Sequence, residues 1–222
     1  MPELNRRLGY EFRDALLFQQ ALTHRSFAHG NNERLEFLGD GLLNFVIGAA
    51  LYAQQPSAEE GALSRLRASL VREETLAMLG RELQLGEVLR LGESELKSGG
   101  FRRDSILADA VEALIGAIYL DGGFAAAQEA CLRLYASLLA DLPDAESLKD
   151  PKTRLQEHLQ AQGRPLPRYE ILAEAGPPHA RRFSVCCVLP DSEWTTEAEG
   201  PSRRSAEQRT AELMIARLVS NA

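Results

Sequence analysis

Residues 35 to 53, LEFLGDGLLNFVIGAALYA, are apolar on nearly every side of a helix, and their only charges are Glu36 and Asp40. A helix of that kind has no polar face to give to water, so the pattern predicts burial inside a bundle. Residues 105 to 120, SILADAVEALIGAIYL, repeat the design with Asp109 and Glu112 as their only charges. Adding Glu33, the first helix carries acids three and four residues apart, which sets all three within about 60° on one side of the wheel. Further stretches rich in Leu and Ala at helical spacing, 11 to 22, 59 to 80 and 124 to 140, make the first part of the chain all-α.

Carboxylates in such helices constrain the chemistry. Burying ionised acids beside one another costs several kcal/mol per ion unless cations compensate. One reading is two separate exposed stripes neutralised by Arg34, Arg65 or Arg67. Matching patterns on two helices favour the other, because facing bundle helices are where carboxylate metal sites are built. All-oxygen ligation suits Mg²⁺, with Mn²⁺ as a substitute. A di-iron centre would need Glu-x-x-His, and neither helix contains histidine. The four histidines, His24, His29, His158 and His179, are scattered and read as surface or capping residues. No P-loop is present, and the GDG at 39 to 41 is too short for a dinucleotide fingerprint. Metal-assisted attack of water on a phosphate ester or anhydride remains.

The second part of the chain has a different character. The net charge is −7, but the acidity is concentrated before residue 151, and beyond it cations and carboxylates nearly balance. Pro143, Pro151 and several charges interrupt periodicity in DLPDAESLKDP, so residues 143 to 150 are expected to link a helical domain, 1 to 142, to a second domain, 151 to 222. There KTRLQEHLQAQ predicts a helix stopped by Gly163 and Pro165. RYEILAEA, RRFSVCCVL and WTTEAE predict three strands, the second with Phe183, Val185, Cys187 and Leu189 on one face. A last helix starting near Ser202 aligns Ala211, Met214, Ile215 and Leu218 in one stripe. The order is α-β-β-β-α, a small α+β unit. Three cysteines, two of them adjacent, offer neither a disulfide framework nor zinc spacing. The N-terminus has no signal-like apolar core, and Glu36 and Asp40 interrupt the most apolar run, so a cytoplasmic protein without a membrane partner is expected.

NERLEFLGD at 32 to 40 and SILADAVEALIGAIYLDGG at 105 to 123 closely resemble the bacterial ribonuclease III signature, supported by LSRLRASLV and LGESELKSGGFRR. DPKTRLQEHLQ and PSRRSAEQRTAELMIARL resemble the double-stranded RNA-binding domain that follows the nuclease domain in that family. The resemblance implies an all-α endonuclease domain followed by an RNA-binding domain. It implies a Mg²⁺-dependent endoribonuclease that cuts double-stranded RNA, including rRNA and mRNA precursors, leaving 5′-phosphate and 3′-hydroxyl ends with short 3′ overhangs. A homodimer through the nuclease domain is also implied. Glu36, Asp40, Asp109 and Glu112 take the metal positions, with Asp40 and Glu112 as catalytic acids. Glu33 and Glu60 match substrate-side acids, although Glu60 equally suits a helix N-terminus.

For RNA binding, the resemblance assigns Thr153, Gln156 and Glu157 to one minor groove, His179 of the GPPHA loop to the next, and Arg203 and Arg204 to the phosphates between. Ala198 and Pro201 depart from the residues many members carry there. Lys97, Arg102 and Arg103 form either a cationic patch or a surface loop. Two other readings stay open on residue type alone: an all-helical nucleotide pyrophosphohydrolase, and an RNA chaperone that binds without cutting.

Overall fold

The computed structural model describes residues 2–27, 29–177 and 180–220 and divides the chain into two units, Met1–Leu148 and Lys149–Ala222. Among the described residues, the first unit contains α1 (Pro2–Leu8), α2 (Ala15–Ala21), α3 (Glu33–Gln54), α4 (Glu60–Val71), α5 (Glu73–Glu82), α6 (Glu93–Lys97), α7 (Asp104–Leu134) and α8 (Ala136–Ala140). The second contains α9 (Pro151–Ala161), β1 (Arg168–Ala175), β2 (Arg182–Val188), β3 (Thr195–Gly200) and α10 (Arg203–Ser220).

The two apolar runs become α3 and α7, and they meet backbone to backbone. A Cβ on Gly39 would collide with the carbonyl oxygen of Glu112, and one on Gly116 with that of Leu35. Around this crossing Leu43, Ile47 and Leu51 of α3 and Leu114 and Ile115 of α7 are fully buried, with Leu76 and Leu79 of α5 nearly so. Both helices are long and apolar enough to cross a membrane by composition; in α7 that apolarity is spent on the protein core, where Ile106 to Ala108 and Ala113 to Ile118 are buried. Helix α3 differs from the expectation of burial all round. Phe37, Phe45 and Tyr52 on its outer side are 83%, 62% and 75% exposed.

Two helical stretches divide differently from the sequence expectation. Residues 59 to 80 form two helices, because Arg72 is extended (φ −70°, ψ 157°) and Glu73 and Glu74 open a new first turn, where acids favour the positive helix end. The stretches 105 to 120 and 124 to 140 stay separate helical segments that meet within the span of α7 at a kink, where Gly123 leaves helical geometry (φ 83°, ψ −179°), a conformation that glycine adopts without penalty, and the second stretch breaks again at Tyr135 before α8. Asp121 of α7 holds the N-terminal segment, accepting from the Tyr10 hydroxyl (2.6 Å) and from the backbone N–H groups of Arg13 and Asp14 (both 2.9 Å). Within the stretch 143 to 150, Ala145 and Leu148 rest on the helical core and Arg65 Nε donates to the Ala145 carbonyl (3.1 Å). Asp150 belongs with the second unit, as the cap of α9.

In that unit the strands form one antiparallel sheet in the order β1-β2-β3, with a bulge between Ile171 and Ala173. Val185 and Cys187 point to the side covered by α9 and α10, where Leu155, Leu159, Leu189, Ala211 and Met214 complete a fully buried core. Asp150 starts α9 by accepting from Thr153 N–H (3.0 Å), with Pro151 in the first turn, where its missing N–H is not needed. Ser202 starts α10, its Oγ accepting from Ser205 N–H (3.2 Å).

Gly116→Ala gains helix propensity worth up to about 1 kcal/mol, but its methyl must displace the Leu35 carbonyl, and overpacking of that kind costs about 3 kcal/mol. Net destabilisation is expected in urea unfolding; a variant as stable as the parent would mean that the helices can separate freely.

Candidate metal centre and nucleic-acid interface

Because Gly39 and Gly116 bring α3 and α7 together, the acids one turn away face each other. Carboxylate oxygens of Glu36, Asp109 and Glu112 lie within 4.8 Å of one another, all three side chains half-buried. Asp40, also expected in this group, is exposed and stands beside it, its Oδ1 accepting from Asn44 Nδ2 (2.8 Å). It nevertheless acts on the cluster. Burial pushes Glu112 from its usual 4.5 up to about 8, and the Asp40 charge is the largest of the neighbouring charges that add to the shift, followed by Glu36 and Asp109. Burial likewise raises Glu36, helped by Asp109 and Glu33, and raises Asp109.

Two of the arginines that could have neutralised separate acidic stripes lie elsewhere. Arg65 reaches Ala145 and Glu146, and Arg67 lines a groove on the other side of α3. Only Arg25 offsets Glu36, and weakly. Three carboxylates that resist ionising together form an all-oxygen donor set suited to a hard divalent cation, which would supply the missing positive charge.

A pocket opens beside Glu36 and Asp109, lined also by His24, Arg25, Asn32, Glu33, Arg103 and Ser105. Glu33 is exposed at its edge, paired with Arg25 at 3.4 Å. His24 Nδ1 lies 2.8 Å from Ser26 Oγ and 3.2 Å from Ser26 N. Sequence reasoning missed this wall, since His24, Arg25 and Asn32 lie between helices where no periodicity marks them. Glu60 is elsewhere. It accepts from Ser64 Oγ (2.8 Å) and lines the second groove with Phe45, Tyr52 and Arg67. At the end of α6 Lys97 pairs with Glu93 (2.6 Å), and beyond it Arg103 pairs with Glu95 (2.7 Å) while Arg102 lies over the Phe101 ring, so two of the three expected cations are neutralised locally.

On the second unit, Thr153, Gln156 and Glu157 are all exposed on α9. Thr153 Oγ1 donates to Asp150 (2.7 Å), and Glu157 accepts from Lys149 (2.6 Å). Arg203 and Arg204 are exposed at the start of α10. Arg203 Nε is tied to Glu207 (2.8 Å), whose other oxygen holds Lys152 (2.6 Å). His179, assigned to the hairpin loop, lies outside the described residues.

Comparison with known proteins agrees with this division. Residues 14–139 match the Ribonuclease-III-like family model and residues 151–218 the double-stranded RNA binding motif. The chain is 61% identical to ribonuclease 3 of Alkalilimnicola ehrlichii, over 97% of this chain and 94% of that protein. It is 55% identical to ribonuclease 3 of Xanthomonas axonopodis pv. citri, over 96% and 95%. Among solved structures, the nuclease domain of ribonuclease III from Campylobacter jejuni superposes with a TM-score of 0.61 at 43% identity, covering 64% of this chain and 98% of that one. A second structure of that domain, described as flexible in a region involved in dimer formation, gives 0.60 at 46% identity over 61% and 95%.

The raised carboxyls make a prediction about pH. Glu112 keeps its proton to about pH 8 when folded but to near 4.5 when unfolded, so the metal-free fold loses stability as pH rises between those values. In chelator, the melting temperature should therefore fall from about pH 5 to about pH 8.5, less steeply in Glu112→Gln, and Mg²⁺ should restore it at the alkaline end. A melting temperature that rises with pH in chelator would contradict the repulsion described above.

Proposed function

The chain belongs to the ribonuclease III family, and from that premise we propose that it is a Mg²⁺-dependent endoribonuclease that hydrolyses phosphodiester bonds in double-stranded RNA. The observation that carries this reading is the Glu36, Asp109 and Glu112 cluster in a chain that also contains a double-stranded RNA binding motif. A nucleotide pyrophosphohydrolase would have no use for the second unit, and a binding-only chaperone no use for three acids held together against their own repulsion.

Glu36, Asp109 and Glu112 would hold the cation, with Asp40 adding negative charge next to Glu112. When bound, the cation polarises the phosphate and activates water for in-line attack. The chain's own part is to aim three carboxylates from two rigid helices at one point, and to let Glu112 give up its proton only when positive charge arrives. Expulsion of the 3′ oxygen gives 5′-phosphate and 3′-hydroxyl ends. Glu33, at the pocket edge, would border the substrate; we assign Glu60, in its separate groove, no part in this cluster.

Among the described residues one chain supplies one such cluster, whereas a staggered break needs a cut on each of two antiparallel strands. A homodimer with two-fold symmetry matches the local symmetry of a duplex. The exposed Phe37, Phe45 and Tyr52 on α3 give the nuclease unit an apolar side to bury against a second copy. RNA-duplex recognition follows from A-form shape, read through minor-groove 2′-hydroxyls and the phosphates between. The exposed side of α9 with Thr153, Gln156 and Glu157 and the start of α10 with Arg203 and Arg204 would supply two of the points of contact, and His179 the third. Structured rRNA and mRNA precursors in the cytoplasm are the natural substrates of such an enzyme.

The deciding experiment is incubation with a long RNA duplex in Mg²⁺ or in chelator. Fragments are expected only with Mg²⁺, while Glu112→Gln should bind duplex with nearly parental affinity and leave it uncut. Cutting in chelator, or by Glu112→Gln at the parental rate, would remove the cluster from the reaction. For the second unit, Arg204→Ala in the Glu112→Gln chain should reduce the slope of log K against log salt by about one unit. Arg203→Ala should reduce it less, because Glu207 already offsets that charge; equal slopes for all three chains would take both arginines away from phosphates.

A further inference from the structure

The pocket beside Glu36 and Asp109 contains one polar atom that the fold leaves unused. Asn32 is 2% exposed, and its Nδ2 has no hydrogen-bond partner. Its backbone is fully employed, the N–H donating to the Thr23 carbonyl (2.9 Å) and the carbonyl accepting from Glu36 N–H (2.8 Å). The side chain stands at the cap position of α3 without making the cap bond that usually explains an Asn there. A buried amide N–H left unmet costs free energy, so its retention at the edge of the carboxylate cluster calls for a partner that arrives from outside.

The chemistry of that partner is restricted. An amide N–H cannot ligate a cation and requires an acceptor. None of the carboxylates that line the pocket with it, Glu33, Glu36, Glu95 and Asp109, accepts from Asn32 Nδ2. The acceptor must therefore come with the substrate. On a nucleic-acid strand held at these carboxylates, the most abundant and most strongly accepting atoms are the non-bridging phosphate oxygens, which are charged and make the stronger class of hydrogen bond. We propose that Asn32 is a substrate-binding residue whose Nδ2 donates to a non-bridging phosphate oxygen of the strand held at the Glu36, Asp109 and Glu112 cluster. The inference rests on the reading of this site as a duplex-RNA nuclease and adds to it a contact that fixes the strand's position along the pocket. The pocket's remaining positive groups, Arg25 and Arg103, are held in ion pairs, so Asn32 provides a neutral donor where another cation would compete with the metal for the acids.

Three forms of the full-length chain test this: the parent, Asn32→Leu, which keeps the bulk and removes the donor, and Asn32→Asp, which keeps the shape and offers only acceptors. Mn²⁺ binding without RNA and duplex cleavage in Mg²⁺ would be measured on each, with thermal melting to confirm folding. Both variants should cut with kcat/KM about 10- to 100-fold below the parent, as expected for loss of a hydrogen bond to a charged group, and Asn32→Leu should bind Mn²⁺ within about twofold of the parent. On duplexes with phosphorothioates, whose sulfur accepts hydrogen bonds poorly, the parent should be slowed at one phosphate position at which folded Asn32→Leu no longer discriminates. Parental cutting by Asn32→Leu would overturn the proposal, as would parallel loss of Mn²⁺ binding, which would make Asn32 a support of the metal site. Parental cutting by Asn32→Asp would show that the amide oxygen, not the nitrogen, faces the substrate, and would overturn it too. Failure of the parent itself to cut duplex RNA with Mg²⁺ would instead overturn the nuclease reading, and this contact with it.

Discussion

Helices α3 and α7 touch through their backbones, and the rest of the nuclease unit is arranged around that contact. Gly39 and Gly116 have no side chain because the opposing carbonyls of Glu112 and Leu35 occupy the space. Helices separated by ordinary side chains sit about 8–10 Å apart; glycines at the crossing allow a closer approach, and residues one turn away are carried in with the backbone. That is how Glu36 and Glu112, on different helices, come to share a space less than 5 Å across. The two glycines thus do for the site what Leu43, Ile47 and Leu114 do for the core.

The same closeness gives the metal-free fold an electrostatic burden. Glu112, Glu36 and Asp109 are each pushed up chiefly by burial, Glu112 and Glu36 also by the neighbouring cluster acids, while His24 and Arg25 only partly offset the rise at Asp109. The protein tolerates this because a large apolar core lies directly beneath, with α7 buried from Ile106 to Ile118 except at the half-buried Asp109 and Glu112. A site left short of positive charge in this way is ready for a divalent cation and for the phosphate that accompanies it. Stability and function pull in opposite directions at the same three side chains, and a cation reconciles them.

The second unit solves a different problem with local means. Its core is small, and capping at both helix starts, by Asp150 and Ser202, stabilises the ends that present polar and charged groups to solvent. Glu207 links Lys152 of α9 to Arg203 of α10 and so orients two cations from different helices. Glu207 is itself buried, so its two cations offset the cost of removing its carboxylate from water, and holding them in place matters for a surface that must meet phosphates at fixed spacing.

Much of this was legible in the sequence. Apolar periodicity marked α3 and α7, isolated charges within them marked Glu36, Asp40, Asp109 and Glu112, and alternation with turn residues marked the three strands, because each signal is written in residues only a few positions apart. What the sequence could not decide depends on residues far apart in the chain. The apolar pattern of α3 reads the same whether a side faces the core, as Leu43 does, or solvent, as Phe37 does. Of four acids of equal appearance, tertiary packing brought three together and left Asp40 exposed beside them, bonded to Asn44 one turn along its own helix, and Glu60 was carried to another groove by the placement of α4. Asn32 opens the NERLEFLGD run, but its role became notable only when the Thr23 segment and α3 closed over it, since burial without a partner is a property of the folded surroundings. Local sequence determined which helices and strands form and which side chains are unusual within them; only the tertiary structure decided which of those side chains share a site, because sharing depends on distances set by the packing of elements remote in sequence.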